Sequence, residues 1–278
     1  MEKVVLITGA SSGIGKAAVK YFAAKQWNVI ASMRNPEKET EFNQLENVFV
    51  VKLDVQDSQT IEQAIQSGIT KFGHIDALVN NAGYGQSGVF EAVTPEQVYK
   101  QFDVNVFGIM NTIRAILPHF RARKAGTILN VSSGAGKFTL PLISLYAASK
   151  FALEGFSEAL SFELSTLNIK VKIIEPGGTT TNFNDTTSQE FADSSSLPDY
   201  NPFLVAASKM FDDLKGQKLV EATAVAELIH QAATDESDTL RYVIGNEDFM
   251  TRIQAREKLA DQDYVNFIRA GFVKYLGE

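Results

Sequence analysis

Three side chains in this sequence have the types and spacing to move a proton to or from an oxygen: Ser133, Tyr146 and Lys150. Ser133 closes the apolar run Ile128-Leu-Asn-Val-Ser-Ser133, which reads as a strand. Tyr146 and Lys150 stand four residues apart in Tyr146-Ala-Ala-Ser-Lys150, which reads as helix. Positions i and i+4 share a helix face, so the phenol and the ammonium are expected to point the same way. A free phenol, with a pKa of about 10, is a poor acid or base at neutral pH. A neighbouring cation favours the phenolate and is expected here to lower that value. Such a pair can exchange a proton with a carbonyl or alcohol oxygen. An isolated Y-x-x-x-K is more often a half-buried Tyr beside a solvated Lys, so the reading depends on what the rest of the chain builds around it.

The elements that must position this pair begin at the other end. Lys3-Val-Val-Leu-Ile7 is a continuous apolar run with β-branched residues, as expected of a strand covered on both faces. It runs into Thr8-Gly-Ala-Ser-Ser-Gly-Ile-Gly15 and then a helical pattern from Lys16 to Gln26. In a strand–turn–helix of this kind, glycines let the backbone approach a diphosphate and the helix N-terminus supplies free N–H donors. Gly9, Ser11, Ser12, Gly13, Ile14 and Gly15 are therefore candidate cofactor-binding residues. The spacing is G-x-x-x-G-x-G, not the more familiar G-x-G-x-x-G. The same residues spell G-x-S-x-G around Ser11, the nucleophile elbow of a serine hydrolase. Against that alternative, only a few residues precede Gly9 to supply an oxyanion loop, and His74, His119 and His230 lie in no recognisable catalytic setting.

Further strands are expected at Trp27–Ser32, Val48–Leu53, Ile75–Asn80, Lys170–Glu175 and Leu240–Gly245, with helices between them, notably Ser58–Phe72 and Glu221–Ala233. Alternating strands and helices argue for βαβ units in a parallel sheet. At the tip of the second strand, Ser32-Met33-Arg34 offers no carboxylate for an adenosine ribose, whereas Arg34 suits an extra phosphate. NADP(H) is the preferred cofactor on this reading, with NAD(H) use left open. Asp54, just past the third strand, is placed to accept a hydrogen bond from an adenine amino group, and Val55 beside it joins the candidate cofactor residues. From Glu247 to Glu278 the chain continues as a charged amphipathic tail, expected to form two helices.

Thr8-Gly-x-x-x-Gly-x-Gly15, Asn80-Asn-Ala-Gly83, Ser133 and Tyr146-x-x-x-Lys150 occur in this order at spacings that resemble the short-chain dehydrogenase/reductase family, over roughly residues 1–245. The resemblance implies an α/β fold, a doubly wound Rossmann-like parallel sheet of about seven strands with helices on both faces. Residues 246–278 would form a C-terminal helical extension. It implies that Asn81, Ala82 and Gly83 line the adenosine side, that Ser133 polarises a substrate carbonyl, and that Tyr146 is the proton donor. Lys150 would hold the nicotinamide ribose and lower the Tyr146 pKa. Asn105 would hold a water in a proton relay to Lys150. Pro176 and Gly177 would abut the nicotinamide, with Thr179 and Thr181 holding its carboxamide and the diphosphate. Family members commonly form homo-dimers or homo-tetramers through the helices that hold Asn105 and Tyr146. A 3-ketoacyl-type reductase and a non-catalytic NADP-sensing scaffold are the alternatives.

Specificity is expected in residues 182–217, an irregular stretch with scattered aromatics that reads as a substrate lid. Tyr84, Phe138, Leu140, Leu142, Ile143 and Phe183 are the expected substrate pocket, apolar enough for a hydrophobic ketone, aldehyde or secondary alcohol. Net charge is −7 with no run of Lys or Arg, which argues against a nucleic-acid partner. Cysteine is absent, which excludes disulfides and thiolate catalysis and suits a reducing cytoplasm. With three scattered His and no ligand spacing, no metal is expected. A first strand opening just after Met1 leaves no room for a leader, and no apolar run approaches membrane-span length.

Overall fold

The apolar runs become the strands of one parallel sheet because helices cover both of its faces. The computed structural model describes residues 2–181, 183, 187, 190–215 and 218–276. In chain order the first half holds β1 (Val4–Ile7), α1 (Gly13–Ala24), β2 (Asn28–Met33), β3 (Val48–Lys52), α2 (Ser58–Phe72), β4 (Ala77–Asn80), α3 (Pro95–Phe102) and α4 (Gly108–Arg123). The second half holds β5 (Gly126–Val131), α5 (Ser144–Leu164), β6 (Ile169–Pro176), the short β7 (Thr179–Thr180), α6 (Asn201–Lys215), the short β8 (Val220–Glu221), α7 (Ala222–Thr234), β9 (Arg241–Ile244), α8 (Glu247–Lys258) and α9 (Asp261–Val273).

Seven strands form the main sheet in the order β3-β2-β1-β4-β5-β6-β9, and every pairing in it is parallel. The order runs outward from β1 in two directions, so the loops after β1 and β4 part and leave a crevice at the carboxyl ends of the strands. Successive residues of a strand face opposite sides. Val5 and Ile7 accordingly enter one core with Val19 and Phe22 of α1 and Ile229 of α7. Val4 and Leu6 enter the other with Ile61 of α2, Ile113 of α4 and Leu153 of α5. The fold is therefore the doubly wound Rossmann-like arrangement that the strand–helix alternation implies.

Three local features bear on the site. The helix after the glycine-rich turn begins at Gly13 rather than at Lys16, so the motif itself forms the first helical turn. Between α3 and α4 the chain makes a π-helical turn over Asp103–Phe107, closed by the Gly108 N–H donating to the Asp103 carbonyl. Such widened turns are uncommon and concentrate at functional sites. The tail forms two helices after β9, and the Asn246 side chain caps the first by accepting from the Phe249 N–H at 2.8 Å. Among the described residues no helix is long and apolar enough to cross a membrane.

Candidate active site

A cleft of about 580 Å³ runs along the carboxyl ends of the strands, across the point where the strand order reverses. At one end lies the N-terminus of α1. Ser12 occupies the N-cap position without making a side-chain cap, which leaves the first helical N–H groups to a ligand. Gly9 and Gly13 have φ of 67° and 52°, and a Cβ on Gly9 would stand 2.8 Å from Ala82 Cα. The Asn81 side chain donates to the Thr8 and Gly9 carbonyls at 3.0 and 3.2 Å, while the Thr8 hydroxyl accepts from the Asn81 and Ala82 N–H groups, both at 3.0 Å. The two glycine-bearing motifs are thus one interlocked cradle. A cradle without side chains, set beside free helical N–H donors, fits the diphosphate of a dinucleotide.

Gly9, Ser11, Ser12, Gly13, Ile14, Arg34, Asp54, Val55, Asn81, Ala82, Gly83, Pro176, Gly177, Thr179 and Thr181 all line the cleft. Gly15 does not. A Cβ there would lie 2.2 Å from the Gly9 carbonyl oxygen and 2.5 Å from Asn81 Nδ2, so this glycine serves the close packing of helix on strand. Arg34 is exposed at the rim. In the neighbouring depression Lys16 pairs with Glu41 at 2.6 Å, and Lys20 pairs with the same carboxylate. Those two ammonium groups hold the Glu41 carboxyl down at about 2.

At the opposite end Ser133, Tyr146 and Lys150 come together on the same cleft. Ser133 lies two residues past the end of β5, and its Oγ accepts from the Ala135 N–H at 3.2 Å. Lys150 is buried and donates to the Val131 carbonyl at 2.9 Å, with its Nζ 5.8 Å from the centre of the Tyr146 ring. The expected acidification of the phenol by Lys150 is corrected here. Burial pushes the Tyr146 phenol up to about 12, and it is a hydrogen bond with Ser133 that draws it back. Burial likewise pulls the Lys150 ammonium down to about 8, opposed by Glu154. For both groups burial is the largest influence.

Asn105 lies behind the cleft lining. It is fully buried in the π-helical turn and does not line the cleft. Its Oδ1 accepts from the Tyr84 N–H at 2.9 Å, while its Nδ2 donates to the Tyr84 carbonyl at 2.9 Å and to Ser149 Oγ at 3.1 Å. The side chain clamps the Gly83–Tyr84 loop to α5, on the Lys150 side of Gly83.

The short chain dehydrogenase family profile matches residues 3–191. The chain is 42% identical over 239 residues to an uncharacterized oxidoreductase of Schizosaccharomyces pombe, covering 84% of this chain and 96% of that one. It is 38% identical over 183 residues to a 3-ketodihydrosphingosine reductase of Bacteroides thetaiotaomicron, covering 66% of each chain. Among solved structures, ElxO with NADP bound superposes with a TM-score of 0.72 at 28% identity, covering 87% of this chain and 98% of that one. A 3-ketoacyl-(acyl-carrier-protein) reductase from Brucella melitensis complexed with NADH gives 0.73 at 27% identity, covering 88% and 97%. The chain belongs to the short-chain dehydrogenase/reductase family. It is an NAD(P)-dependent oxidoreductase, and its cofactor is a nicotinamide nucleotide.

In this short-chain dehydrogenase Tyr84, Phe138, Leu140, Ile143 and Phe183 line the cleft as expected, and the Phe183 ring stands 5.6 Å from that of Tyr146. Leu142 does not. Its backbone takes the left-handed conformation, with φ of 64°, and its carbonyl accepts from the Gly88 N–H at 2.8 Å, so it braces the neighbouring loop. Part of the expected lid (182, 184–186, 188–189 and 216–217) lies outside the described residues. The described part is tied down at Ser87, whose carbonyl accepts from the Ala192 N–H at 2.9 Å, and by the Lys100–Glu190 pair at 2.8 Å.

Among the cleft residues that sequence reading missed are Lys100, Glu190 and Phe249. Phe249 comes from α8 in the tail and packs edge-on to Phe138, with ring centroids 5.7 Å apart. Its ring lies in a socket of Gly134, Gly177 and Gly245, where an added Cβ would come within 2.1, 2.9 and 1.9 Å of it. Those three glycines belong to separate loops, and nothing in their sequence neighbourhoods announces a common partner.

Proposed function

We propose that this enzyme interconverts a hydrophobic ketone or aldehyde and its alcohol, with NADP(H) preferred and NAD(H) accepted. The observation that carries the reading is the convergence of Ser133, Tyr146 and Lys150 at one end of a glycine-cradled cleft walled by Phe138, Leu140, Ile143, Phe183 and Phe249. When bound, the dinucleotide supplies or takes up the hydride. Ser133 holds and polarises the substrate oxygen, and Tyr146 exchanges a proton with it. At neutral pH the Tyr146 phenol carries its proton, the form that can give it to a carbonyl oxygen. Lys150 directs its remaining N–H donors to the nicotinamide ribose. The preference for NADP(H) rests on exposed Arg34 at the rim, with no carboxylate at the tip of β2.

A 3-ketoacyl-type substrate is the second reading, favoured by the similarity to two reductases whose names carry a 3-keto group. Tyr99, Phe107, Phe151 and Phe162 are exposed on α3, α4's approach and α5, which supports a homo-dimer or homo-tetramer through these helices. A chain without cysteine asks nothing of an oxidising compartment, which suits the cytoplasm. The test is turnover of a panel of aliphatic ketones, aldehydes and 3-ketoacyl esters with NADPH and with NADH. Turnover of apolar carbonyls, faster at low NADPH than at equal NADH, is the expected result. Cofactor binding with no turnover of any carbonyl would instead mark a non-catalytic NADP-sensing scaffold.

A further inference from the structure

One turn beyond Lys150 on α5, several charged side chains converge that the reaction does not touch. Glu154 is 5% exposed and its Oε2 accepts from Arg241 Nε at 3.1 Å. Arg241 also donates through Nη2 to Glu158 Oε2 at 2.6 Å, and its Nε lies 3.3 Å from Glu175 Oε1 without hydrogen-bond geometry. Glu175 is 1% exposed and directly precedes Pro176, at the cleft. Val131 pairs in register with Ile174, so Ser132 and Glu175, the next residues of β5 and β6, face the same side. The Glu154 stem closes the group. A Cβ on Gly136 would stand 2.9 Å from both Glu154 Cγ and Ser132 Oγ.

Glu154 Oε1, both Glu175 oxygens and Ser132 Oγ are buried without a hydrogen-bond partner. Unpaired buried carboxylates are costly, so a charge balance must hold here. Lys150 and Arg241 are two cations, and Glu154 and Glu158 are two anions. Farther out, the Lys137 charge pulls the Glu175 carboxyl down and the Glu257 charge pushes it up. A third carboxylate charge has no counterpart here, and burial pushes the Glu175 carboxyl up to about 7. Lys150, for its part, has no hydrogen-bonded acid of its own: it donates to a carbonyl, and the carboxylate one turn away on the same helix face is Glu154.

We propose that Glu154 is the buried counter-charge of Lys150 and a positioning residue for the reaction, held in place by the hydrogen bond it accepts from Arg241. It keeps Lys150 an ammonium in a site that disfavours charge, so the ribose-holding and proton-relaying form persists at neutral pH. The inference rests on the reductase reading for its consequence in catalysis, but not for its test.

The test is a pH titration of the Lys150 side chain by NMR in the full chain labelled with 13C-lysine, with Lys150→Arg assigning the signal. In Glu154→Gln the Lys150 midpoint should fall by about one pH unit or more, the usual effect of removing a close opposite charge. In Glu158→Gln, which removes a half-exposed carboxylate bound to the same Arg241, it should stay within a few tenths of wild type. Glu154→Asp, which keeps the charge, should leave the midpoint near wild type, and Glu154→Met, which also removes the charge, should show the same fall and serves if the Gln variant does not fold. The pH limb of kcat/KM that follows Lys150 should move with the NMR midpoint. A Lys150 midpoint in Glu154→Gln equal to wild type, or equal shifts in both Gln variants, would overturn the proposal. A wild type without carbonyl turnover would sink the reductase reading while the NMR titration still decides the counter-charge.

Discussion

Replacing Glu175 with Gln should stabilise the protein, and only above a certain pH. Burial pushes this carboxyl from 4.5 up to about 7, with Glu154 acting in the same direction against Lys137 and Arg241. At about 1.4 kcal/mol per pH unit, that displacement is worth about 3 kcal/mol. The sign follows from proton counting. Between 4.5 and about 7 the folded protein holds a proton on Glu175 that the unfolded chain has released. Stability from this group is therefore full below its unfolded value, declines as pH rises through that window, and is flat above it. Gln mimics the protonated form at every pH. The variant should exceed wild type by less than about 1 kcal/mol at about pH 5 and by about 3 kcal/mol at about pH 8, by urea denaturation at both pH values. For a chain of this length about 1 kcal/mol moves Tm by roughly 2–4 °C, so a scan should separate the two proteins by roughly 6–12 °C at the higher pH. A gap of the same size at both pH values would refute the claim that Glu175 is protonated in the fold.

Three further perturbations have defined outcomes. Phe249→Ala removes a buried ring from the three-glycine socket and should cost about 3 kcal/mol, the low end for Phe→Ala because water can enter from the cleft. It should also shift relative kcat/KM toward bulkier ketones, and an unchanged ranking would mean the ring does not bound the substrate. Arg34→Ala should weaken NADPH about 10- to 100-fold in a fluorescence titration, the range for a lost charged hydrogen bond, with NADH little changed. Equal weakening of both would show that Arg34 does not read a phosphate. Gly15→Ala drives a methyl into the Gly9 carbonyl and should abolish dinucleotide binding or folding, read by the same titration and by circular dichroism.

The strands were legible because buried parallel strands read as unbroken apolar runs, and β1 and β4 differ from their expected spans by only one or two residues at an end. Ser133, Tyr146, Lys150 and the glycine cradle were legible because their chemistry restricts residue type at fixed local spacing. What failed depends on tertiary context. Leu142 stands among apolar neighbours, but a left-handed backbone turns it to a bracing role. The direction of the Tyr146 shift depends on how desolvation compares with a charge across one helical turn, and residue spacing holds no measure of burial. Phe249 meets its partners only when three distant loops close around it.

The account turns on the phenol of Tyr146 as the group that gives the proton. Its most direct test is the reduction rate of an apolar ketone by Tyr146→Phe, measured beside NADPH affinity in the same protein. The rate is predicted to fall by about a hundred- to ten-thousand-fold, the contribution of a positioned acid, while the cofactor still binds. A variant that binds NADPH normally and reduces the ketone at the wild-type rate would contradict it.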